Sequence, residues 1–112
     1  AILNGATLGG NPEEPGIAPV AAINRIWRGE ALAQAEIMEA YAVQALAVID
    51  GVGLDPACVN PAGGGLARGH PIGASGAILA VRLFHGLKQG RGLAAIAAAG
   101  GIGTALLVEA PT

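Results

Sequence analysis

Apolar residues occur in runs separated by glycine and proline, and these runs predict most of the elements of the chain. Residues 20–28 have the composition of a short helix that follows a proline-rich loop. Good helix formers also fill residues 30–50, EALAQAEIMEAYAVQALAVID, and Gly51 follows as a natural end of the helix. By pattern alone, this second segment is one long helix.

The second half of the chain alternates turn residues with apolar runs. DPACVN (55–60) predicts a turn and a short buried strand, and a glycine-rich loop follows it. Pro71 favours the first turn of a helix that continues to about Gln89, with the packed stripe Ile72, Gly76, Leu79, Leu83 and Leu87. The opposite, solvated face of this helix carries Arg82, His85 and Lys88.

The chain closes with two apolar runs, GLAAIAAAG (92–100) and GIGTALLVEA (101–110), which predict a pair of buried strands joined by a tight turn. We therefore expect an α/β fold in which a mixed β-sheet packs against helices. The glycine-rich loop falls at a strand-to-helix junction, where α/β folds commonly bind ligands.

The stretch GGGLARGHPIGASG (63–76) concentrates glycine around one histidine. His70 directly precedes the predicted helix, whose N-terminal dipole disfavours an imidazolium, so we expect a neutral ring. Such a ring can accept a proton from a thiol or donate a hydrogen bond to a developing oxyanion, and the glycines let a substrate carbonyl approach. A capping histidine in a rigid turn fits these residue types equally well. His85 is expected to be an ordinary surface residue.

Composition limits the class of protein further. The 112 residues fit a single domain, and the 19 glycines predict close packing through small residues or a core shared with another polypeptide. With 3% aromatic residues and a net charge of −2, a nucleic-acid partner is not expected. The two histidines and the one cysteine lie far apart, so no metal site is expected. The segment GGGLARG lacks the order and the downstream acidic residue of a dinucleotide fingerprint.

The lone cysteine, Cys58, cannot form an internal disulfide, which fits a reducing compartment; we expect it to be a small buried side chain. No apolar run reaches the roughly 18 residues that span a bilayer, and no signal peptide is visible. We therefore expect a cytoplasmic protein without a membrane span. The first residue is Ala1 rather than methionine, as expected of a fragment, a processed chain or a trimmed one.

The histidine loop belongs to a longer motif. VNPAGGGLARGHPIGASG (59–76) resembles the signature around the catalytic histidine of the thiolase family, V-N-x-x-G-G-x-x-x-x-G-H-P-x-G-x-S/T-G, and meets every fixed position. EAYAVQALAV (39–48) resembles the family's N-E-A-F-A-x-Q helix start, and GIAPVAA (16–22) its G-x-x-P-x-x-A segment. AIAAAGGIGTALLVE (95–109) resembles its closing C-x-G-G-G-x-G strand pair.

The resemblance covers nearly the whole chain but only the C-terminal half of a thiolase. Residues 1–112 are therefore expected to be one thiolase-like C-terminal domain with the N-terminal half absent. The resemblance also changes three predicted elements: residues 32–37 become a strand, about 40–50 a helix, and 1–9 a core strand.

The resemblance implies a chemistry. Thiolases transfer acyl groups between coenzyme A thioesters and make or cleave a carbon–carbon bond, so an acyl-coenzyme A is the expected substrate and no covalently bound cofactor is expected. By resemblance, His70 activates a nucleophilic cysteine that the N-terminal half supplies, and contributes to an oxyanion hole. The substrate-binding glycines that it implies are Gly69, Gly73, Gly100 and Gly101.

Other catalytic positions of the family are substituted. Met38 stands where thiolases have the asparagine that holds a water in the oxyanion hole, and Ala97 where they have the acid/base cysteine. A branch resembling the sterol-carrier type carries its cysteine at the position of Ala40, and Cys58 matches neither position. We therefore expect the isolated chain to be inactive as a thiolase.

Three hypotheses remain open. The chain is the C-terminal half of an acyl-coenzyme A acyltransferase that works with a separate N-terminal-half chain, as the retained His70 favours. Alternatively, it is a non-catalytic binding or scaffold module, as Met38 and Ala97 favour, or a degenerate fragment. The scarcity of bulky apolar residues fits a fragment, and the apolar face that we expect to be left uncovered predicts a homo- or hetero-oligomer.

Overall fold

A four-stranded mixed sheet organises the computed structural model, which describes residues 1–111. Strand β1 (Ile2–Gly9) pairs antiparallel with β4 (Ile102–Glu109), and β4 pairs antiparallel with β3 (Arg91–Ala98). Strand β2 (Gln34–Ile37) pairs parallel with β3, so the spatial order is β1-β4-β3-β2. The prediction of a mixed sheet is confirmed, and so is the closing pair of strands.

Helices cover both faces of the sheet because successive residues of a strand point to opposite sides. Helices α1 (Ala18–Ile26) and α2 (Ala42–Val52) cover one face, and α4 (Ser75–Gly86) covers part of the other; α3 (Gly65–Arg68) is a single turn within the glycine loop. None of the helices described in residues 1–111 is long and apolar enough to cross a membrane.

Each face has its own core. The larger core lies under α1 and α2 and includes Ile23, Ile37, Val48, Leu93 and Leu107. The smaller core lies under α4 and consists of Met38, Leu79, Leu83 and Ala94, with a rim of partly buried residues.

The long helix that the pattern predicts over residues 30–50 is wrong, whereas the division implied by the family resemblance is confirmed. All four residues of β2 are buried and pair with β3, so tertiary pairing overrides the weak strand propensity of QAEI. Tyr41 has extended backbone at the start of α2, and Gly53 ends that helix with a left-handed φ of 73°.

The predicted limits of the last helix are also wrong. Helix α4 begins at Ser75 rather than Pro71, because the Pro71 carbonyl accepts hydrogen bonds from the amides of Ala74 and Ser75 and closes a turn first. Ile72 lies in that turn and is 83% exposed, so it is not part of the packed stripe. The extended backbone of Leu87 ends the helix before Gln89.

Strand β1 forms as the resemblance implies, but it is an edge strand rather than a core strand. Among residues 1–111, β4 is its only neighbour in the sheet, and most of the residues of β1 are exposed. The short strand predicted within residues 55–60 is reduced to a single bridge between Val59 and Ala35 that follows a 3-10 turn, Pro56–Cys58.

We predict that the contact between β4 and the start of α1 requires glycine at position 103. A Cβ at Gly103 would overlap the Ala18 carbonyl and lie 2.8 Å from the Pro19 nitrogen, both of which are rigid backbone. Gly103→Ala should lower the free energy of unfolding by about 3 kcal/mol in urea denaturation. The matched control, Gly9→Ala, places its Cβ in open space on the neighbouring strand and should change stability by less than about 1 kcal/mol. Equal effects would contradict the packing described.

Candidate functional site

His70 ends the glycine loop, and its ring is held by the first residue of α4. The His70 Nδ1 lies 2.6 Å from the Ser75 Oγ, and the Ser75 hydroxyl donates to the Pro71 carbonyl at 3.1 Å. A hydroxyl has one proton, so in this network Nδ1–H donates to Ser75 and the tautomer is assigned accordingly. The Nε2 lone pair of a neutral ring is then free to accept a proton.

The half-buried His70 lines a groove of about 480 Å³ between the glycine loop and α4. This volume is in the range of small-molecule sites. Polar groups in the lining come from Glu39, Arg68, Ser75 and Arg82 as well as His70. The remaining walls are mostly apolar: Met38, Pro71, Ala74, Ala77, Ile78, Leu79 and Val81.

The structure brings Met38 and His70 into this one groove. Met38 directly follows β2, is buried, and donates its amide hydrogen to the Ala95 carbonyl at 3.0 Å. Ala97 is half-buried on β3 and packs against the core cluster that contains Met38. Met38 therefore presents an apolar group to the histidine groove, whereas Ala97 is not among the residues that line it.

The four glycines predicted to contact substrate separate into two groups. Gly69 lines the groove immediately before His70. Gly73 lies in the exposed turn before α4, whereas Gly100 and Gly101 form the turn between β3 and β4. These last three are not among the groove-lining residues, and their contact with substrate stays a prediction.

Asn60 fastens the glycine loop to the strand that leads to Met38. Its Oδ1 accepts a hydrogen bond from the Ile37 amide at 2.8 Å, and its Nδ2 donates to the Ile37 carbonyl at 3.0 Å. The Asn60 amide donates to the Ala35 carbonyl at 2.8 Å. Asn60 thus pairs with the backbone groups at the free edge of β2 as a neighbouring strand would. Its own backbone is in the left-handed region, with a φ of 46°.

The concentration of glycine in this loop has a packing reason. Gly64 lies against the side chains of Glu39 and Asn60, where a Cβ would overlap the Glu39 carboxylate. That carboxylate accepts a hydrogen bond from the Leu66 amide at 3.2 Å, which fixes the start of α3. At the next residue, Gly65, a Cβ would lie 2.9 Å from the Glu39 carbonyl oxygen, so the missing side chain lets the loop backbone approach the segment that follows β2.

Sequence reasoning missed the contact between two charged residues near the groove, Glu36 and Arg82. Glu36 is completely buried in β2, and its Oε1 accepts a hydrogen bond from the Gln34 side chain at 2.8 Å. Its Oε2 lies 3.7 Å from the Arg82 Nε, so the placement of Arg82 on a solvated face is wrong: its side chain is only 25% exposed. A strand buried on both faces shows no alternation that would have revealed Glu36. His85, in contrast, is exposed as expected.

Comparison with known proteins identifies the family. The sequence model described as "Thiolase, C-terminal domain" matches residues 1–110. The chain belongs to the thiolase family. The expectation of a thiolase-like C-terminal half is therefore confirmed, and the loop that holds His70 against α4 is the part of this thiolase domain that meets the family signature.

Individual relatives agree over nearly the whole domain. An acetyl-CoA acetyltransferase of Cupriavidus necator is 44% identical over an alignment of 112 positions that covers 93% of this chain and 28% of the relative. The cytosolic acetyl-CoA acetyltransferase of Mus musculus is 37% identical over an alignment of 116 positions that covers 96% of this chain and 29% of the relative. This thiolase domain thus spans about 30% of the length of the curated relatives it matches.

Solved structures support the same fold. The Acat5 thiolase from Ascaris suum in complex with coenzyme A superposes with a TM-score of 0.93 at 40% identity, covering 98% of this chain and 30% of that one. The peroxisomal 3-ketoacyl-CoA thiolase of Saccharomyces cerevisiae superposes with a TM-score of 0.88 at 33% identity, covering 95% of this chain and 33% of that one.

Cys58 lies apart from the histidine groove. It is half-buried rather than fully buried, and it lines a second cavity of about 710 Å³ whose walls include Trp27, Glu30 and Asp55. Burial raises the pKa of the Cys58 thiol above its ordinary value, and the negative charge of Asp55 raises it further. This thiol is therefore a weak nucleophile at neutral pH.

We predict that Asn60 contributes to stability through two hydrogen bonds and a backbone conformation. Asn60→Ala should lower the free energy of unfolding by about 3 to 5 kcal/mol, because the Ile37 amide and carbonyl lose their partners and alanine disfavours a positive φ. Asn60→Gly should recover about 1 kcal/mol of that loss. The exposed control Asn24→Ala should change stability by less than about 0.5 kcal/mol in the same urea titration. Indistinguishable values for alanine and glycine at position 60 would rule out the backbone contribution.

We predict slow alkylation of Cys58 in the folded domain. At pH 8 its reaction with iodoacetamide should be slower than in the urea-unfolded chain, because a raised pKa leaves less thiolate. The folded state holds this proton more tightly, so the free energy of unfolding should fall as the pH rises through the ordinary thiol pKa of about 9. Cys58→Ser should remove that fall, and a fall that persists in this variant would assign it to another group.

Proposed function

We propose that this thiolase domain supplies His70 as the base in acyl transfer from acyl-coenzyme A thioesters. The observation that carries the proposal is the 2.6 Å contact between the His70 Nδ1 and the Ser75 Oγ; with the tautomer assigned above, this contact leaves the Nε2 lone pair free to accept a proton. Nε2 takes the proton of an attacking thiol, whose sulfur bonds to the thioester carbon, and the resulting Nε2–H donates a hydrogen bond to the thioester oxygen as that oxygen gains negative charge. The carbon–sulfur bond to coenzyme A then breaks, and the departing sulfur takes the Nε2 proton, which returns the ring to its neutral form. The relatives named acetyl-CoA acetyltransferase and the coenzyme A complex of the Ascaris suum thiolase support this substrate class.

The nucleophile in this proposal comes from the part of a thiolase that precedes this domain. Helix α4 leaves the outer half of its sheet face uncovered, and a groove of about 420 Å³ runs beside it along Gly5, Thr7, Thr104 and Leu106. Phe84, on the exposed side of α4, is 78% exposed. The yeast peroxisomal thiolase is described as five layers built from two core domains of identical topology. A second core domain would complete the helix layer that α4 leaves unfilled here.

The substitutions at Met38 and Ala97 limit this activity. Neither side chain can exchange a proton or hold a catalytic water, so the proton transfer that carbon–carbon bond formation requires has no residue at these positions. Loss of a general acid/base group typically reduces a rate by about 10² to 10⁴, and loss of an oxyanion-hole donor by about 10² to 10³. We therefore propose that the domain alone does not catalyse acyl transfer, and that it needs a thiolase N-terminal half for any turnover.

A second function, that of a non-catalytic binding or scaffold module, has one observation in its favour. Met38 is 6% exposed and completes the apolar core under α4, so the position contributes to packing as it stands. For either function we propose a cytoplasmic location, which the name of the mouse cytosolic relative supports.

The two histidines of the chain provide the test. In the domain assembled with a thiolase N-terminal half, His70→Asn should slow coenzyme A release from acetyl-coenzyme A by about 10² to 10⁴. His85→Asn alters an exposed histidine on α4, outside the groove that His70 lines, and should change the rate by less than about twofold. Equal effects of the two substitutions would overturn the role of His70. Saturable binding of acetyl-coenzyme A without turnover in the assembled protein would favour the non-catalytic module.

A further inference from the structure

Helix α4 contacts the glycine loop at both of the loop's ends. Ser75, in the first turn of the helix, holds His70 at the end of the loop. Arg82 contacts the beginning of the loop, where its Nη2 donates to the carbonyls of Ala62 at 3.3 Å and Gly63 at 3.4 Å. Ser75 and Arg82 are seven residues apart, close to two helical turns, so they project from one face of the helix.

The Gly63 carbonyl connects Arg82 to the histidine. It also accepts a hydrogen bond from the guanidinium of Arg68, the last residue of α3 and two residues before His70. A displacement of Gly63 therefore changes the position of α3, and the backbone between α3 and His70 is only Gly69. The position of the His70 ring at the end of the loop therefore depends on the contacts of Arg82 with the start of the loop.

Arg82 is itself fixed from the side of the sheet. Its Nε lies 3.7 Å from the Oε2 of Glu36, whose side chain is 1% exposed and whose backbone pairs with β3. Within the described residues, neither of these two atoms has a hydrogen-bond partner. The contact between Arg82 and Glu36 is therefore an ion pair without a hydrogen bond. The other carboxylate oxygen is held by the Gln34 side chain, which fixes the direction of the buried charge. In surroundings that exclude water, such a charge strongly favours a guanidinium beside it.

We propose that Arg82 is a positioning residue, with Glu36 as its counter-charge, that fixes the glycine loop on α4 and thereby orients the His70 ring. Arg82 lies outside every motif through which the chain resembles its family. The inference rests on the proposed role of His70 for its functional meaning. Its test reads the loop and the ring rather than acyl transfer, so either proposal can fail while the other holds.

The test must separate positioning from neutralisation of a buried charge. Arg82→Met alone leaves Glu36 unpaired and is expected to destabilise the fold. The double variant, Glu36→Gln with Arg82→Met, removes both charges at similar volume, so it should recover stability. The matched control is Arg91→Met, which removes a 38% exposed arginine that pairs with Glu30 and Glu109 at the far end of β3.

Two measurements on the full chain report on the loop directly. The first is the rate of hydrogen exchange at two loop amides: Gly63, which donates to the Asn60 carbonyl at 2.9 Å, and Gly69, which donates to the Gly65 carbonyl at 2.7 Å. The Met38 amide, which bonds within the sheet, is the reference. The second is the pair of ¹⁵N chemical shifts of the His70 ring, which distinguish an Nδ1–H tautomer from a mixture. In the double variant we expect exchange of the loop amides to accelerate about tenfold, equivalent to one charge-assisted hydrogen bond, while Met38 is unchanged. We also expect the ring to become a mixture of tautomers.

The proposal would be overturned if the double variant is stable and its loop amide exchange and His70 ¹⁵N shifts equal those of the wild type and of Arg91→Met. Arg82 would then only neutralise Glu36. If the double variant does not fold, Arg82→Lys decides, since lysine keeps the charge but not the fork that joins Glu36 to the loop carbonyls. Faster exchange at Gly63 and Gly69 in Arg82→Lys than in the wild type would support the positioning role of Arg82, and exchange at the wild-type rate would contradict it.

Discussion

The two hydrogen bonds between the Asn60 side chain and the Ile37 backbone are the interaction on which the candidate site depends. They close the free edge of β2 and attach the glycine loop to this strand, which leads to Met38. From this point the loop runs along α4 to His70, whose ring is then fixed by Ser75. The histidine is therefore held by contacts with both the sheet and the helix, although it lies in a segment with little regular structure of its own.

Sequence reasoning recovered the parts of the fold that depend on local chemistry. The closing strands and the histidine loop were predicted because turn residues and apolar runs mark them. The prediction that Gly51 ends the helix is wrong, since α2 continues through Gly51 to Val52 and is ended by Gly53. Local chemistry did not predict β2, since QAEI becomes a strand only through its pairing with β3. The start of α4 was misplaced because the turn after Pro71 depends on where the Ser75 side chain binds.

The candidate site shows the same division. Its motif could be read from the sequence, whereas the tautomer of His70 and the contacts of Arg82 depend on the three-dimensional arrangement. Glu36 carries no sequence signal because every residue of β2 is buried. In chemical terms the domain combines an oriented histidine with apolar groups at Met38 and Ala97. Under the proposed function, it supplies one proton transfer and depends on another part of a thiolase for the remaining chemistry.

The central claim is that His70 acts as part of an assembly with a thiolase N-terminal half. Native mass spectrometry of the protein purified from its own cells, with no tag on any other chain, tests this claim most directly. We expect the domain in a species that also contains a thiolase N-terminal half, joined in one chain or bound in a stoichiometric complex, and that retains coenzyme A when it is supplied. A bare monomer or homodimer of this chain that does not retain coenzyme A would contradict the account.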